Sequence, residues 1–99
     1  MEKTYIVTES EVPTTGTVLV KFGAAWCGPC KMLDTVLEKF AEKREDVTIL
    51  FVDVDNEQSA GLAQSKNVRS IPLTLVYKDG QQVDSFNGAQ SLQTLLSKI

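Results

Sequence analysis

Two nearly continuous apolar segments, separated by an amphipathic helix, constrain the fold of this chain more than any other feature. The first segment, Thr17–Ala24, and the second, Val47–Val54, are typical of buried strands. Between them, from Cys27 to about Lys43 or Arg44, apolar residues recur with helical spacing. These apolar positions are Met32, Leu33, Val36, Leu37, Phe40 and Ala41. A strand, a helix and a second strand in this order predict a right-handed parallel crossover.

The remaining segments predict two antiparallel strands and two further helices around this crossover. The Asp79-Gly80 pair is typical of a tight hairpin turn between strands. The predicted strands are Thr4–Val7, Leu73–Tyr77 and Gln82–Phe86, and Glu9–Gly16 is predicted as a loop with room for one helical turn. A short helix is capped by Asp55 or Asn56 and runs through Gln64 or Ser65. A final helix is capped by Ser91. We therefore predict an α/β fold in which a mixed central sheet carries helices on both faces.

Length, composition and charge exclude several classes of protein. The 99 residues suit a single domain over residues 1–99, and an apolar fraction of 42% argues against disorder. Ten basic and 13 acidic residues, with no histidine, give a formal charge of −3, so no broad basic surface is available for nucleic acids or anionic membranes. No apolar run approaches the roughly 20 residues of a membrane helix. No secretory signal is visible, and we expect a cytoplasmic protein.

The two cysteines, Cys27 and Cys30, have C-x-x-C spacing. In an intracellular chain of this size, such a pair indicates redox chemistry or metal binding. A structural zinc site needs four ligands, and this chain has no histidine and no further cysteine to supply them, so we expect no metal site. Two inert buried thiols are the other alternative. The Gly28-Pro29 pair between the cysteines marks a turn and argues against a packed segment.

The position of the cysteine pair at the start of the predicted helix suits thiol–disulfide exchange. In that reaction one thiolate attacks a disulfide, and a second thiol then attacks the mixed disulfide. Unpaired backbone N–H groups at a helix N-terminus would favour the Cys27 thiolate, and Lys31 would add a nearby cation. Cys30, one turn further along, would act later as the resolving thiol. Pro29 suits the first turn because its missing N–H costs no hydrogen bond there.

The motifs around the cysteines resemble those of the thioredoxin family. The segments that carry the resemblance are Val18-Leu19-Val20-x-Phe22, Ala24-x-Trp26-Cys27-Gly28-Pro29-Cys30-Lys31-Met32, Ile71-Pro72, Asp79-Gly80 and Gly88-Ala89. The resemblance covers nearly the whole chain after Thr17. It implies a thioredoxin fold, with a truncated first helix because the stretch before Thr17 is short. It also implies an oxidoreductase that reduces protein disulfides without a bound cofactor.

The resemblance further implies roles for individual residues and for partners. Cys27 would be the nucleophile and Cys30 the resolving thiol. Pro72 would be cis and would face the two sulfurs, and the backbone of Ile71 would pair with an extended substrate segment. A flat substrate groove would be formed by Trp26, Gly28, Pro29, Ile71, Gly88 and Ala89. The implied partners are disulfide-containing proteins and a thioredoxin reductase as electron donor, with a monomer as the default.

The chain departs from the thioredoxin pattern beneath the second cysteine. Lys21 stands where the family usually has a buried aspartate, and Phe51 stands where a charged partner is common, so we expect the usual buried acid–base pair of the family to be absent. We interpret Lys21 as a residue whose stem lies under the helix while its ammonium reaches water or Asp53. The alternative hypothesis is that Lys21 makes Cys30 a readier thiolate. Gly23 replaces an aromatic residue, which either loosens the packing of the helix or simply suits a strand end.

Two other functions are compatible with the same fold. The first is a disulfide oxidase or isomerase. Such relatives often carry a histidine or another group between the cysteines, which Gly28-Pro29 does not provide. The second is a non-catalytic thioredoxin-fold subunit of a larger assembly, in which the cysteines would not be needed for the biological task.

Overall fold

The computed structural model describes residues 2–99, which form five strands and three α-helices. The strands are β1 (Thr4–Tyr5), β2 (Thr17–Gly23), β3 (Val47–Asp53), β4 (Leu73–Lys78) and β5 (Gln81–Asn87). The helices are α1 (Gly28–Lys43), α2 (Ala60–Ser65) and α3 (Leu92–Lys98), and single 3₁₀ turns lie at Glu9–Glu11 and Glu57–Ser59. Each predicted strand and helix is present.

The five strands form one mixed sheet in the order β1-β3-β2-β4-β5. β3 pairs parallel with both β1 and β2, and β4 pairs antiparallel with β2 and β5. The long β2–β3 ladder extends from the Thr17–Val47 pair to the Gly23–Asp53 pair. This parallel pair, joined through α1, is the predicted crossover. β2 ends at Gly23, and the cysteine motif that begins α1 follows shortly after it in the chain.

Alternation along β2 sends its side chains into two separate cores, one on each face of the sheet. Val18, Val20 and Phe22 pack with Leu62 of α2 and with residues of the amino-terminal segment. Leu19 lies on the opposite face and packs with α1 and α3. Helices therefore cover both faces, as predicted. Because side chains two residues apart share a face, Lys21 lies on the same face as Leu19, under α1.

The buried face of α1 is narrower than the apolar pattern predicts. Its buried side chains are Cys30, Leu33, Leu37 and Phe40. Met32, which the pattern placed in the apolar stripe, is 66% exposed. Successive residues of a helix are about 100° apart around its axis, so Met32 turns out of the contact that Leu33 makes with the sheet.

The segment between β1 and β2 contains one 3₁₀ turn in place of a full helix, in agreement with the predicted truncation. β1 ends at Tyr5, two residues earlier than predicted. The backbone N–H groups of Val7 and Thr8 donate to the carboxylate of Glu11, at 2.8 and 2.9 Å, rather than to a strand. These two backbone hydrogen bonds hold the pKa of Glu11 below its usual value.

Local capping determines where the later elements begin. The side chain of Asn56 accepts a hydrogen bond from the N–H of Gln58 at 3.0 Å, and the chain continues through the second 3₁₀ turn into α2. The hydroxyl of Ser91 accepts from the N–H of Thr94 at 3.1 Å and caps α3. Between β4 and β5, Asp79 and Gly80 have positive φ angles of 52° and 85°, as a tight hairpin turn requires.

Candidate active site

The two cysteines lie at the amino-terminal end of α1 and are joined by a disulfide, with 5.2 Å between their Cα atoms. Cys27 is the residue that caps the helix, and its sulfur accepts a hydrogen bond from the N–H of Cys30 at 3.2 Å. This is the environment that favours a thiolate, because helix N–H groups without backbone partners point at the sulfur. Cys30 is almost fully buried, with 1% of its surface exposed, and Cys27 is 5% exposed.

The residues between and after the cysteines build the first turn of the helix. Gly28 and Pro29 are exposed and open α1, so the proline occupies a position where its missing N–H leaves no hydrogen bond unmade. The N–H of Lys31 donates to the carbonyl of Cys27 at 3.2 Å and closes this turn, while the Lys31 side chain is exposed. The predicted positions of Pro29 and Lys31 in the first turn agree with the structure.

The Ile71–Pro72 peptide bond is cis, in agreement with the expectation from the resemblance. Pro72 is buried directly before β4, and Ile71 is half-buried. The carbonyl of Pro72 accepts a hydrogen bond from the N–H of Gly88 at 2.8 Å. Gly88 has a φ of 78°, a conformation that favours glycine, so the loop after β5 is held against the loop before β4.

A shallow cavity of about 390 Å³ connects the tryptophan before the cysteines with the loop before β4. Of the predicted groove residues, Trp26 and Ile71 line this cavity, whereas Gly28, Pro29, Gly88 and Ala89 are not part of its lining. Its other walls, which the sequence analysis did not identify, are Val54, Ala60, Ala63, Val68, Arg69 and Ser70. No sequence signal marks these residues, because their common surface is created only when α2 packs beside the cysteine loop.

Trp26 is 71% exposed, so it is a surface residue rather than a core residue. Its indole N–H donates to the Asp55 carboxylate at 2.8 Å, which holds the ring at the edge of the cavity. Asp55 follows β3, and the sequence analysis interpreted it only as a solvated or capping residue. In the structure it positions an aromatic wall of the groove.

Lys21 corrects one prediction, because its ammonium pairs with Asp34 rather than with Asp53 and its side chain is almost fully buried. The side chain is 5% exposed, and Nζ donates to Oδ1 of Asp34 at 2.7 Å. Asp53 is engaged elsewhere, since its carboxylate accepts the N–H of Asp55 at 2.9 Å. A lysine–carboxylate pair different from the one usual in the family therefore lies under α1.

The partner of Lys21 comes from the helix rather than from the neighbouring strand. Asp34 lies four residues after Cys30, on the same side of α1, and its side chain is only 15% exposed. The carboxylate also accepts from Nζ of Lys3, and this hydrogen bond raises the pKa of the Lys3 ammonium. The four-residue spacing places Asp34 on the side of α1 that carries Cys30, but it does not show that the carboxylate reaches Lys21.

Comparisons with known proteins agree with this geometry. The family model described as Thioredoxin matches residues 5–99. The chain belongs to the thioredoxin family. It is 44% identical over 84 residues to thioredoxin of Chlamydia trachomatis, covering 85% of this chain and 80% of that protein. It is 38% identical over 93 residues to thioredoxin 1 of Synechococcus elongatus, covering 94% of this chain and 82% of that protein.

Solved structures give the same result. A mutant thioredoxin from Halobacterium salinarum superposes with a TM-score of 0.84 at 34% identity, covering 97% of this chain and 86% of that one. The oxidised thioredoxin from Plasmodium falciparum superposes with a TM-score of 0.82 at 29% identity, covering 98% of this chain and 97% of that one. The thioredoxin fold expected from the sequence motifs is confirmed.

The family and the paired cysteines together establish the class of activity. The chain is a thiol–disulfide oxidoreductase that acts on protein disulfides. Its general partners are those of the family, disulfide-containing proteins and a reductase. The two alternatives, a disulfide oxidase or isomerase and a non-catalytic subunit, are not favoured by these relatives.

Residues 2–99 contain neither a membrane-spanning helix nor a cluster of metal ligands. None of the helices there combines the length and the apolar composition needed to cross a membrane. In the same residues, no three acidic or cysteine side chains are grouped so that they could hold a metal ion.

Proposed function

We propose that this protein carries electrons from a thioredoxin reductase to disulfide-containing proteins in the cytoplasm, with Cys27 as nucleophile and Cys30 as resolving thiol. The observation that carries this assignment is the position of Cys27 at the amino terminus of α1, bonded to a more deeply buried Cys30. The family membership supports it.

The first step is attack by the reduced protein on a substrate disulfide. The Cys27 thiolate forms a bond to one substrate sulfur, and the substrate S–S bond breaks. The second substrate sulfur leaves as a thiolate and takes a proton from water. The N–H groups at the start of α1 favour the attacking anion, because they have no carbonyl partner within the helix.

The second step releases the substrate. Cys30 loses its proton and attacks the sulfur of Cys27, so the mixed disulfide breaks and the Cys27–Cys30 bond forms. The first substrate sulfur leaves as a thiolate. Two electrons have then moved from the dithiol to the substrate, and the protein is left in the disulfide form described above. The reductase returns two electrons to this disulfide.

The surface around Cys27 suits an extended segment of a substrate protein. Trp26 and Ile71 form two walls of the shallow cavity, and Gly88 is tied to the carbonyl of Pro72 beside it. We assign Gly28, Pro29 and Ala89 to the exposed rim of this surface, and Lys31 to a supporting charge next to the first turn. A shallow surface read through backbone groups accommodates many protein disulfides.

A disulfide-reduction assay with dithiothreitol as donor tests the cysteine roles. We expect Cys27→Ser to lose all activity above the rate of dithiothreitol alone. We expect Cys30→Ser to accumulate a mixed disulfide with the substrate, detected by mass spectrometry. Thr35→Ser, a conservative change on the exposed side of α1, is the control and should keep full activity. Activity of the Cys27→Ser variant equal to that of the unmodified protein would overturn the assignment.

Three further parts of the proposal concern how the protein exists in the cell. We assign residues 1–99 to one working domain, because both cores are built on a single sheet. We propose that it acts as a monomer, which sedimentation of the reduced and oxidised forms tests. Fractionation of the source cells tests the cytoplasmic location.

A further inference from the structure

The space beside the sulfur of Cys30 is occupied by the ammonium of Lys21. A Cβ atom placed on Gly23 would lie 2.8 Å from Nζ of Lys21 and 3.2 Å from Sγ of Cys30. Both atoms therefore border the space that the missing side chain of Gly23 leaves open, and they lie no more than about 6 Å apart. This geometry also explains Gly23. A side chain at this position would displace the ammonium, so the glycine provides the room through which Lys21 reaches the active site.

Two contacts of the ammonium hold it in this position, and the strand pairing fixes the backbone from which it projects. Asp34 accepts its hydrogen bond from above, on α1, at 2.7 Å. Phe51, the neighbour of Lys21 in the β2–β3 ladder, places its ring centroid 5.7 Å from Nζ. On the other side, Lys21 pairs with the buried Thr74 of β4. The Lys21 side chain is 5% exposed, so its charge is poorly screened by water.

A cavity of about 320 Å³ lies next to this pair and connects it with solvent. The charged and titratable groups that line it are Lys3, Tyr5, Lys21, Lys31, Asp34 and Asp53. They come from the amino-terminal segment and from β1, β2, α1 and β3. The lining contains three lysines and two aspartates, and Asp34 is shared between Lys3 and Lys21.

We propose that Lys21, held by Asp34 in the space that Gly23 leaves free, is a positioning residue that stabilises the thiolate of Cys30. This inference rests on the proposed role of Cys30 as resolving thiol. It differs from the pattern of the family, in which an aspartate stands at this place in the chain. A carboxylate can accept the proton of the thiol, whereas an ammonium stabilises the anion that remains.

The charge acts in the second step of the reaction. The Cys30 thiol gives its proton to water, and the thiolate is stabilised by the Lys21 ammonium. The thiolate then attacks Cys27, the Cys27–substrate bond breaks, and the substrate sulfur leaves with the electron pair of that bond. The step needs no reactant other than the mixed disulfide and water.

The test is a pH titration of the single thiol in the Cys27→Ser background, followed by the ultraviolet absorbance of the thiolate. Absorbance needs no reagent to reach the buried sulfur. We expect the titration midpoint of Cys30 to rise by about one pH unit or more when Lys21→Met is added. Lys21→Arg, which keeps the charge, should restore most of the difference. Lys39→Met removes the same charge from the exposed side of α1 and should leave the midpoint unchanged.

Gly23→Ala provides a second, independent variant. The added methyl group should push the flexible end of Lys21 away from Cys30 and raise the midpoint in the same direction. In the Lys21→Met background the same change should add little, because the ammonium is already absent. If Lys21→Met fails to fold, Lys21→Gln removes the same charge and replaces it in both experiments.

A rate measurement tests the effect of the Lys21 charge in the protein that keeps both cysteines. The rate at which Cys30 displaces an aromatic thiol from a preformed mixed disulfide on Cys27 should fall about threefold in Lys21→Met at neutral pH. This value follows from a tenfold smaller thiolate fraction that is partly offset by higher nucleophilicity. An unchanged midpoint and an unchanged displacement rate would overturn the inference. Because the titration needs no turnover, it stays separate from the disulfide-reduction assay that tests the proposed function.

Discussion

Two lysine–carboxylate pairs lie on opposite faces of the sheet, and they differ mainly in burial. Lys66 pairs with Glu9 near the surface, with exposed side-chain fractions of 19% and 48%. Lys21 pairs with Asp34 under α1, with fractions of 5% and 15%. Each ammonium lies near an aromatic ring, 5.6 Å from the Tyr77 centroid in the first pair and 5.7 Å from the Phe51 centroid in the second.

The two pairs use similar groups for different tasks. Glu9 also accepts a hydrogen bond from the hydroxyl of Tyr77 at 2.6 Å. The Lys66–Glu9 pair, called the outer pair below, therefore ties the amino-terminal 3₁₀ turn to β4. The Lys21–Asp34 pair, the inner pair, ties α1 to β2 and holds the Lys21 ammonium near Cys30. Burial decides the difference, because a charge that water does not screen acts strongly on a neighbouring sulfur, whereas an exposed charge does not.

The largest expected effect comes from removing the buried carboxylate. Asp34→Ala leaves the Lys21 ammonium under α1 without an anion, and we expect a loss of about 3 kcal/mol in the free energy of unfolding. Urea denaturation measures this loss. Asp34→Asn keeps an acceptor oxygen for Nζ and should cost less. If Glu9→Ala lowers the free energy of unfolding as much as Asp34→Ala, the difference in burial does not make the two pairs differ in strength.

An intermediate effect is expected on the outer side of the sheet. Tyr77→Phe keeps the buried ring but removes the hydroxyl that donates to Glu9, and we expect a loss of about 1 kcal/mol. The same denaturation experiment measures it. Tyr5→Phe, whose ring is 54% exposed, is a matched control that should change the stability very little. Equal losses from the two variants would show that the Glu9 contact does not hold the amino-terminal segment.

The smallest effect is the pH dependence of the outer pair. Hydrogen bonds from Lys66 and then Tyr77 hold the pKa of Glu9 below its usual value of 4.5. A lowered folded-state pKa gives stability that is present above 4.5 and is lost as the pH falls through the lower folded value. We therefore expect Glu9→Gln to cost about 0.5 kcal/mol at neutral pH and the difference from the unmodified protein to vanish in acid.

The alkaline side of the same pair has the opposite sign. The Glu9 hydrogen bond raises the pKa of Lys66, and burial, followed by the Glu9 hydrogen bond, raises that of Tyr77. The stability from these groups is present at neutral pH and is lost as the pH rises through their folded values. Denaturation curves of the unmodified protein and of Glu9→Gln, recorded across the pH range, measure the loss of stability in acid and in alkali. A difference between them that grows in acid would contradict this account.

Several features of the fold and site were predictable because they depend on neighbours along the chain. The apolar pattern of β2, α1 and β3 predicted the parallel crossover, and alternation along β2 is enough to place Lys21 under α1. The C-x-x-C spacing before an amphipathic helix predicted a sulfur at the helix N-terminus. Thr8 and Glu11 illustrate the limit, because their local hydrogen bonds ended β1 two residues early.

The partner of Lys21 could not be predicted in the same way. Asp34 and Asp53 both line the cavity beside it, one on a helix and one on a strand. Which carboxylate reaches the ammonium depends on how α1 is rotated over the sheet and on the hydrogen bond that already engages Asp53. The groove walls on α2 are a second example, since Ala60, Ala63 and Val68 meet Trp26 only after α2 packs beside the cysteine loop.

The amino-acid sequence by itself determined the order of strands and helices, the place of the dithiol at the start of α1 and the face of β2 from which Lys21 projects. Local rules of periodicity and capping decide these features within one or two turns of chain. Only the tertiary structure decided that the Lys21 ammonium pairs with Asp34 and lies beside Cys30 in the room left by Gly23. That outcome depends on distances between elements, because hydrogen bonds and charge interactions fall off over a few ångströms that no spacing along the chain specifies.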